Sequence, residues 1–316
     1  MQLGALFSKQ AIMRRVLISL LPILLFAVYS FGLRVLVVLA VVTATGVLTE
    51  FWILRFMKGG TGFKIPEAIF VSCVLFTLVL PSTVPLWVAA VGIAFGVFFG
   101  KGVFGGFGKN IFNPALVGRC FVFISFPSSM TVSWATPFAG FPGGFVRYTT
   151  GVDAISAATP LVQKGVDITR LFLGQIAGSS GEISSLLILL AAVYLVYTKT
   201  ASLRIMLSGT VAFLGLSTIL YTTGATAVNP LVALFTGGFL FAIVFMATDP
   251  ITAPRDKTAQ IFFGALIGLL ALTIRSFSNF REGAMFAVLL GNTFGPLIEM
   301  QVKEFAARRR MAHEQG

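Results

Sequence analysis

The sequence predicts an all-α polytopic membrane protein, with about ten transmembrane helices in two inverted five-helix repeats and Pro-interrupted helices. Three observations predict it. Hydrophobic residues make up 57% of the 316 residues and charged residues 11%, under half of the roughly 25% that lets a soluble domain cover itself with polar groups. The apolar residues fall in runs that approach the roughly 20 residues a spanning helix needs. A stretch in the first half also recurs, without a gap, in the second.

In chain order the spans fall at about 16–32, 35–54, 66–80, 84–100, 111–126, 184–198, 203–222, 229–248, 258–276 and 283–300. Lys9, Arg14 and Arg15 before the first run resemble a signal peptide. No small-residue cleavage site follows and a new run starts at Val35, so a retained span is expected. With the N-terminus inside, 16 Lys and Arg face the cytoplasm and 6 face out, the asymmetry of the positive-inside rule. The chain then divides into a first membrane repeat (1–126), an extracytoplasmic segment (127–183), a second repeat (184–300) and a basic cytoplasmic tail (301–316) containing Arg308-Arg309-Arg310. The net charge of +12 is spread over these flanks, which points to a lipid membrane and not to nucleic acid. Cys73 and Cys120 have no C-x-x-C spacing and His313 is the one histidine. A disulfide framework, a zinc or iron–sulfur site and bis-histidine haem are therefore not expected.

The recurring stretch is Phe70–Pro85, which matches Phe239–Pro254 at Phe70/Phe239, Phe76/Phe245, Pro81/Pro250, Thr83/Thr252 and Pro85/Pro254. The first copy lies in an outward span and the second in an inward one, which defines the inverted repeat. A Pro-x-x-x-Pro either interrupts a helix, freeing backbone groups to line a cavity, or ends a span.

Three polar groupings stand out. The run Gly105-Gly106-Phe107-Gly108-Lys109-Asn110-Ile111-Phe112-Asn113-Pro114 places two carboxamides one helical turn apart at the start of a span. Such groups are costly in a membrane unless bonded, and they serve either as helix caps or as ligand contacts. Asp249, with Glu50 and Glu299, is an acid near membrane depth and so a candidate for ion coupling. The polar segment holds Asp153-Ala154-Ile155-Ser156-Ala157-Ala158-Thr159-Pro160, which reads as a turn or cap or as an accessible hydroxyl among small residues.

These stretches together resemble one family: the D subunit of the Rnf ferredoxin:NAD oxidoreductase and its relative, the B subunit of the sodium-translocating NADH:quinone reductase. The resemblance runs from about Phe70 to Pro296. It rests on Leu80–Trp87, on Phe104 through Arg119, on Asp153–Thr159, and on Phe245–Pro250. In that family the third motif is D-x-x-S-G-A-T, whose Thr carries FMN through a phosphoester. The resemblance implies covalent FMN on Thr159, with Asp153 and Ser156 completing the motif and Ala157 in place of the usual Gly. It also implies a non-covalent riboflavin near Asn110, Asn113 and Ser72.

The expected function follows from the resemblance. It is a flavin-carrying subunit of an ion-translocating electron-transport complex in the bacterial cytoplasmic (inner) membrane, passing electrons through FMN and riboflavin and not catalytic alone. Both termini would be cytoplasmic and the FMN loop extracytoplasmic. Its partners would include iron–sulfur and NADH-binding subunits, a second FMN-carrying subunit and a flavin transferase, since this chain shows no nicotinamide fingerprint and no cysteine cluster. The short region before the first span favours the Rnf type, with the B subunit of the quinone reductase as the alternative. From another class, a small-solute channel or permease shares inverted repeats and broken helices but has no use for a flavinylation motif.

Overall fold

The structure is a computed structural model that describes residues 7–57, 63–131, 135–138, 140–148, 168–174, 178–278 and 283–314. Its first half holds α1 (Ala11–Phe31), α2 (Arg34–Met57), α3 (Ala68–Val79), α4 (Leu86–Val97) and α5 (Pro114–Ser125). α4 runs on into a π-helical turn, Phe98–Gly102. Two short helices, α6 (Pro127–Thr131) and α7 (Ile168–Leu173), precede the second half. That half contains α8 (Ser185–Tyr197), α9 (Leu203–Thr222), α10 (Pro230–Phe235), α11 (Phe239–Phe241), α12 (Lys257–Phe277) and α13 (Gly283–Glu314). A second π-turn, Ala242–Met246, continues α11. Strands β1 (Phe7–Ser8) and β2 (Ile65–Pro66) form one two-residue parallel pair.

Among the described residues five helices are long and apolar enough to cross a membrane, four shorter apolar ones accompany them, and the broken α10–α11 segment takes the eighth predicted place. The fold is that of an all-α polytopic membrane protein. Apolar side chains on the outside agree with lipid as the solvent: Trp52, Val193 and Val211 are 65%, 69% and 68% exposed.

The halves pack in the same order. α2 lies on α4 and α4 on α5, while α9 lies on α12 and α12 on α13. Small residues bring these helices close, as membrane helix pairs require. A methyl on Gly96 of α4 would strike the Pro114 carbonyl, and one on Gly268 of α12 would strike that of Gly209 on α9.

The proline pairs end helices. α3 stops before Pro81 and α4 starts after Pro85, and Pro250–Pro254 likewise leads into α12. The break inside a span is instead Thr236-Gly237-Gly238, where Gly237 and Gly238 both have positive φ, a conformation glycine adopts without strain. Asparagine starts the helices after the two polar loops. Asn113 Oδ1 accepts from the N–H groups of Ala115 (3.0 Å) and Leu116 (3.4 Å), and Asn229 Oδ1 from Leu231 N–H (2.9 Å). Each is followed by Pro at N1, whose fixed φ suits a first turn.

Polar contacts gather at the two ends of the bundle. At one end the Arg34 guanidinium donates to the carbonyls of Ser82 (2.9 Å), Thr83 (3.4 Å) and Val84 (2.9 Å) after α3. Arg275 donates to Ala233 (2.6 Å) and Gly237 (3.0 Å) at the α10–α11 break. Arg119 pairs with Glu182 (2.9 Å) and reaches Ser179 (3.3 Å). A helix ending inside a bundle leaves orphan carbonyls; Arg275 supplies a donor to one at the end of α10, and Arg34 satisfies the loop carbonyls between α3 and α4. At the other end Arg14 holds Glu67 (2.5 Å), Arg15 the Thr198 carbonyl (2.9 Å) and Ser202 the Gln260 side chain (2.7 Å).

Candidate functional site

A narrow cleft opens at this second end, where the Gly-rich loop of the first half meets the turn after the second π-helical turn. Ser72 and Val71 of α3, Lys101, Phe107, Asn110, Asn113, Phe245 and Asp249 line it, with Met13 and Val16 of α1. The structure thus brings together four of the residues singled out in the sequence: Asn110, Asn113, Ser72 and Asp249.

The loop shape depends on glycine. Gly105, Gly106 and Gly108 take φ of 102°, 92° and 84°, which L side chains rarely adopt. The chain therefore turns sharply between α4 and α5 and delivers Asn110 and Asn113 to the same wall. Asn113 spends its Oδ1 on the α5 cap, and its Nδ2 points at Asp249 Oδ2 at 3.4 Å, a long contact that joins the two halves. Asp249 Oδ1 accepts from the Ile251 N–H at 3.1 Å. Asn110 donates to the Phe112 carbonyl (3.2 Å), and its Oδ1 is buried without a hydrogen-bond partner. Buried polar atoms are nearly always satisfied, so this acceptor faces a missing donor. Ser72 Oγ bonds its own helix at the Ala68 carbonyl (3.3 Å), the structural role its position allows.

Beside the cleft lies the feature that sequence reasoning missed. Glu50 of α2 and Lys101 of the first π-turn form an ion pair of 2.5 Å, with the residues 2% and 3% exposed. Glu50 Oε2 has no hydrogen-bond partner, and Lys101 Nζ lies 5.5 Å from the Phe107 ring centroid. In the sequence Lys101 counts as a flanking cation of the positive-inside pattern. The structure buries it, because the π-turn extends α4 past its apolar run and carries Lys101 inward against α2. The available signal was Glu50 itself, an acid inside a predicted span, which requires a cation.

Glu299 is elsewhere. It lies on α13, bonded to Lys303 (2.7 Å) and to the Arg255 N–H (3.1 Å), and it does not line the cleft. Thr159, Asp153 and Ser156 lie outside the described residues. Among the described residues no group of three His, Cys, Asp or Glu side chains could hold a metal ion.

The donor set suits a polar heteroaromatic edge: an unsatisfied amide oxygen, a second carboxamide, a carboxylate and an ammonium. The open space, about 40 Å³, takes two or three waters and not a fused ring system. A flavin could enter only if the Gly-rich loop and the Asp249 turn moved apart.

Comparison with known proteins agrees with the ordered motifs. The family model described as "NQR2, RnfD, RnfE family" matches residues 5–307. Curated relatives, each named as the B subunit of a Na(+)-translocating NADH-quinone reductase, are 39% identical over 283 residues in Ectopseudomonas mendocina, 41% over 260 in Pseudomonas paraeruginosa and 36% over 266 in Haemophilus influenzae. The matches cover 87%, 79% and 81% of this chain. They span 69%, 63% and 64% of those relatives' length. The matched region takes in the helices, the Gly-rich loop and the Asp249 turn, and the chain belongs to the NQR2, RnfD, RnfE family.

Proposed function

We propose that this chain is the flavin-carrying membrane subunit of an ion-translocating electron-transport complex, with FMN on Thr159 and a riboflavin held at the cleft. Family membership supports the first part, together with the Asp153–Thr159 motif. The observation that carries the cleft is the buried, unbonded Asn110 Oδ1 beside Asn113 and Asp249, on a wall shared by both halves. A flavin supplies electron transfer when bound, while the protein sets its position and electronics.

The residues have separate tasks in this reading. Asn110 and the Nδ2 of Asn113 would hold the polar edge of the ring through hydrogen bonds, while Asn113 Oδ1 keeps α5 capped. Asp249, Glu50 and Lys101 supply ionisable groups within reach of the cleft, and Glu299 sits apart from it at the α12–α13 surface. Partners bring the nicotinamide and iron–sulfur chemistry, and a flavin transferase modifies Thr159. The termini would be cytoplasmic and the 127–183 segment outside, on the inner membrane.

The names of the relatives, at 36–41% identity, favour the NADH:quinone reductase arrangement. The Rnf arrangement is the second reading, carried by the family model, which spans both. Electron transfer from NADH to quinone, against reduced ferredoxin to NAD, separates the two. The site is tested by intact mass and peptide mapping of the chain made with its flavin transferase. An FMN adduct lost in Thr159→Val, and a second, extractable flavin lost in Asn110→Ala, are expected. An unmodified Thr159 would sink the proposal and leave a solute permease as the reading.

A further inference from the structure

α13 does not stop where the bilayer does. Glu299 accepts from the Arg255 N–H, which sets residue 299 level with Arg255-Asp256-Lys257 at the start of α12. Three successive charges mark the edge of the hydrocarbon. The helix continues to Glu314, so Phe305 stands about 9 Å and Arg309 about 15 Å further out at 1.5 Å per residue. The headgroup layer is only roughly 5–7 Å deep.

A groove of about 1220 Å³ begins at membrane depth between Phe262 of α12 and Phe294 and Leu297 of α13, and it continues outward past Gln301, Val302 and Phe305 to Arg309. Their spacing follows the helical repeat, and Phe305 is 71% exposed. Acyl chains reach the inner end of the groove but not Phe305. A second copy of this chain would set Arg308 and Arg309 against their like. Arg309 makes no ion pair among the described residues, so the outer part of the groove offers Val302 and Phe305 as an apolar floor and one unspent cation at its end.

We propose that the α12–α13 groove docks an amphipathic helix of a partner subunit, apolar on the face it buries and acidic where it meets Arg309. This is helix-in-groove recognition, in which apolar anchors at helical spacing supply affinity and a terminal charge pair fixes direction. The proposal rests on the reading that the chain works inside an assembly, but it needs no flavin.

A photo-crosslinking phenylalanine analogue placed at Phe305, in the full complex in its native membranes, tests it. A matching probe at Val211 on the lipid-facing side of α9 is the control. Phe305 should give an adduct with one other subunit, mapped by mass spectrometry to an acidic amphipathic helix, and Arg309→Glu should lower its yield about fivefold. Val211 should label lipid. An adduct of Phe305 with lipid, with a second copy of this chain or with a segment lacking acidic residues would overturn the proposal. So would no adduct at Phe305 while Val211 reacts. A complex that crosslinks as expected but carries no flavin would defeat the proposed function and leave this interface standing.

Discussion

At one end of the bundle the buried cations Arg34 and Arg119 and the half-buried Arg275 all meet oxygen at close range. At the other, Glu50 and Lys101 face each other with Glu50 Oε2 left over and Asn110 Oδ1 unbonded nearby. Both ends bury charge, and burying charge is costly unless it is paired and bonded. The first end spends its cations on the loop carbonyls after α3, on the end of α10 and on Glu182, so each has a structural task. The second end keeps polar capacity in hand beside a cleft lined by both halves. Unspent capacity at such a cost is what a binding or coupling site retains.

The largest expected effect breaks the first end. Arg119→Met leaves Glu182 buried against the Gly238 turn without its cation, and removing one partner of a buried pair costs about 3–5 kcal/mol. A large drop in the thermal midpoint of the detergent-solubilised protein is the readout. A midpoint within a degree or two of the parent would mean that Glu182 finds water, and the contrast between the ends would fade.

The second test sharpens the other end. Replacing both members of the inner pair by apolar residues of similar size, Glu50→Leu with Lys101→Met, should leave stability within about 1 kcal/mol or raise it, because a buried pair often contributes no net stability. Ion-coupled turnover of the assembled complex should nevertheless be lost. Retained turnover would make the pair a structural relic and remove it from the site.

Asn110 and Asn113 should separate within the cleft itself. Asn113→Ala removes the α5 cap and costs about 1 kcal/mol. Asn110→Ala removes one bond to the Phe112 carbonyl together with a buried acceptor that is already unbonded, so it should cost less than Asn113→Ala yet lower flavin content as much. Equal stability losses in chemical denaturation would mean that Asn110 is a second cap and not a ligand group.

How far the sequence foretold this arrangement depends on the range of the interaction. The helices were legible because each carries its own apolar run, and the Asn113-Pro114 start of α5 because a cap acts within three residues. The Gly105–Gly108 turn was legible as a place of close approach, since only glycine takes those φ values easily. The Glu50–Lys101 pair was not, because it joins residues 51 apart in sequence through a π-turn that no local pattern announces. Nor did the sequence separate Glu299 from Asp249. Both are acids near a span's end, and only the packing of α13 on α12 sends the first to Lys303 while the turn after Met246 sends the second to Asn113.

The smallest expected effect concerns a half-exposed charge at the edge of the same molecule, where water should reduce the costs that govern both buried ends. Asp256 Oδ1 accepts from the N–H groups of Thr258 (2.8 Å) and Ala259 (2.9 Å) at the start of α12. Those bonds, that of Ala259 foremost, hold its carboxyl below the usual carboxylate range, as backbone donors to a charged acceptor do. Because the folded pKa lies below the unfolded value of about 3.9, the stabilisation is whole above that pH and is lost as pH falls through the folded value. Asp256→Asn keeps an acceptor for the cap but cannot titrate. Its thermal midpoint should therefore lie slightly below the parent's at pH 7, and the gap should close as both are taken toward pH 3. A gap that stays constant would show that the N-cap geometry, and not its charge, sets the start of α12. The charge itself would then be spent on solvent, unlike every buried charge in the bundle.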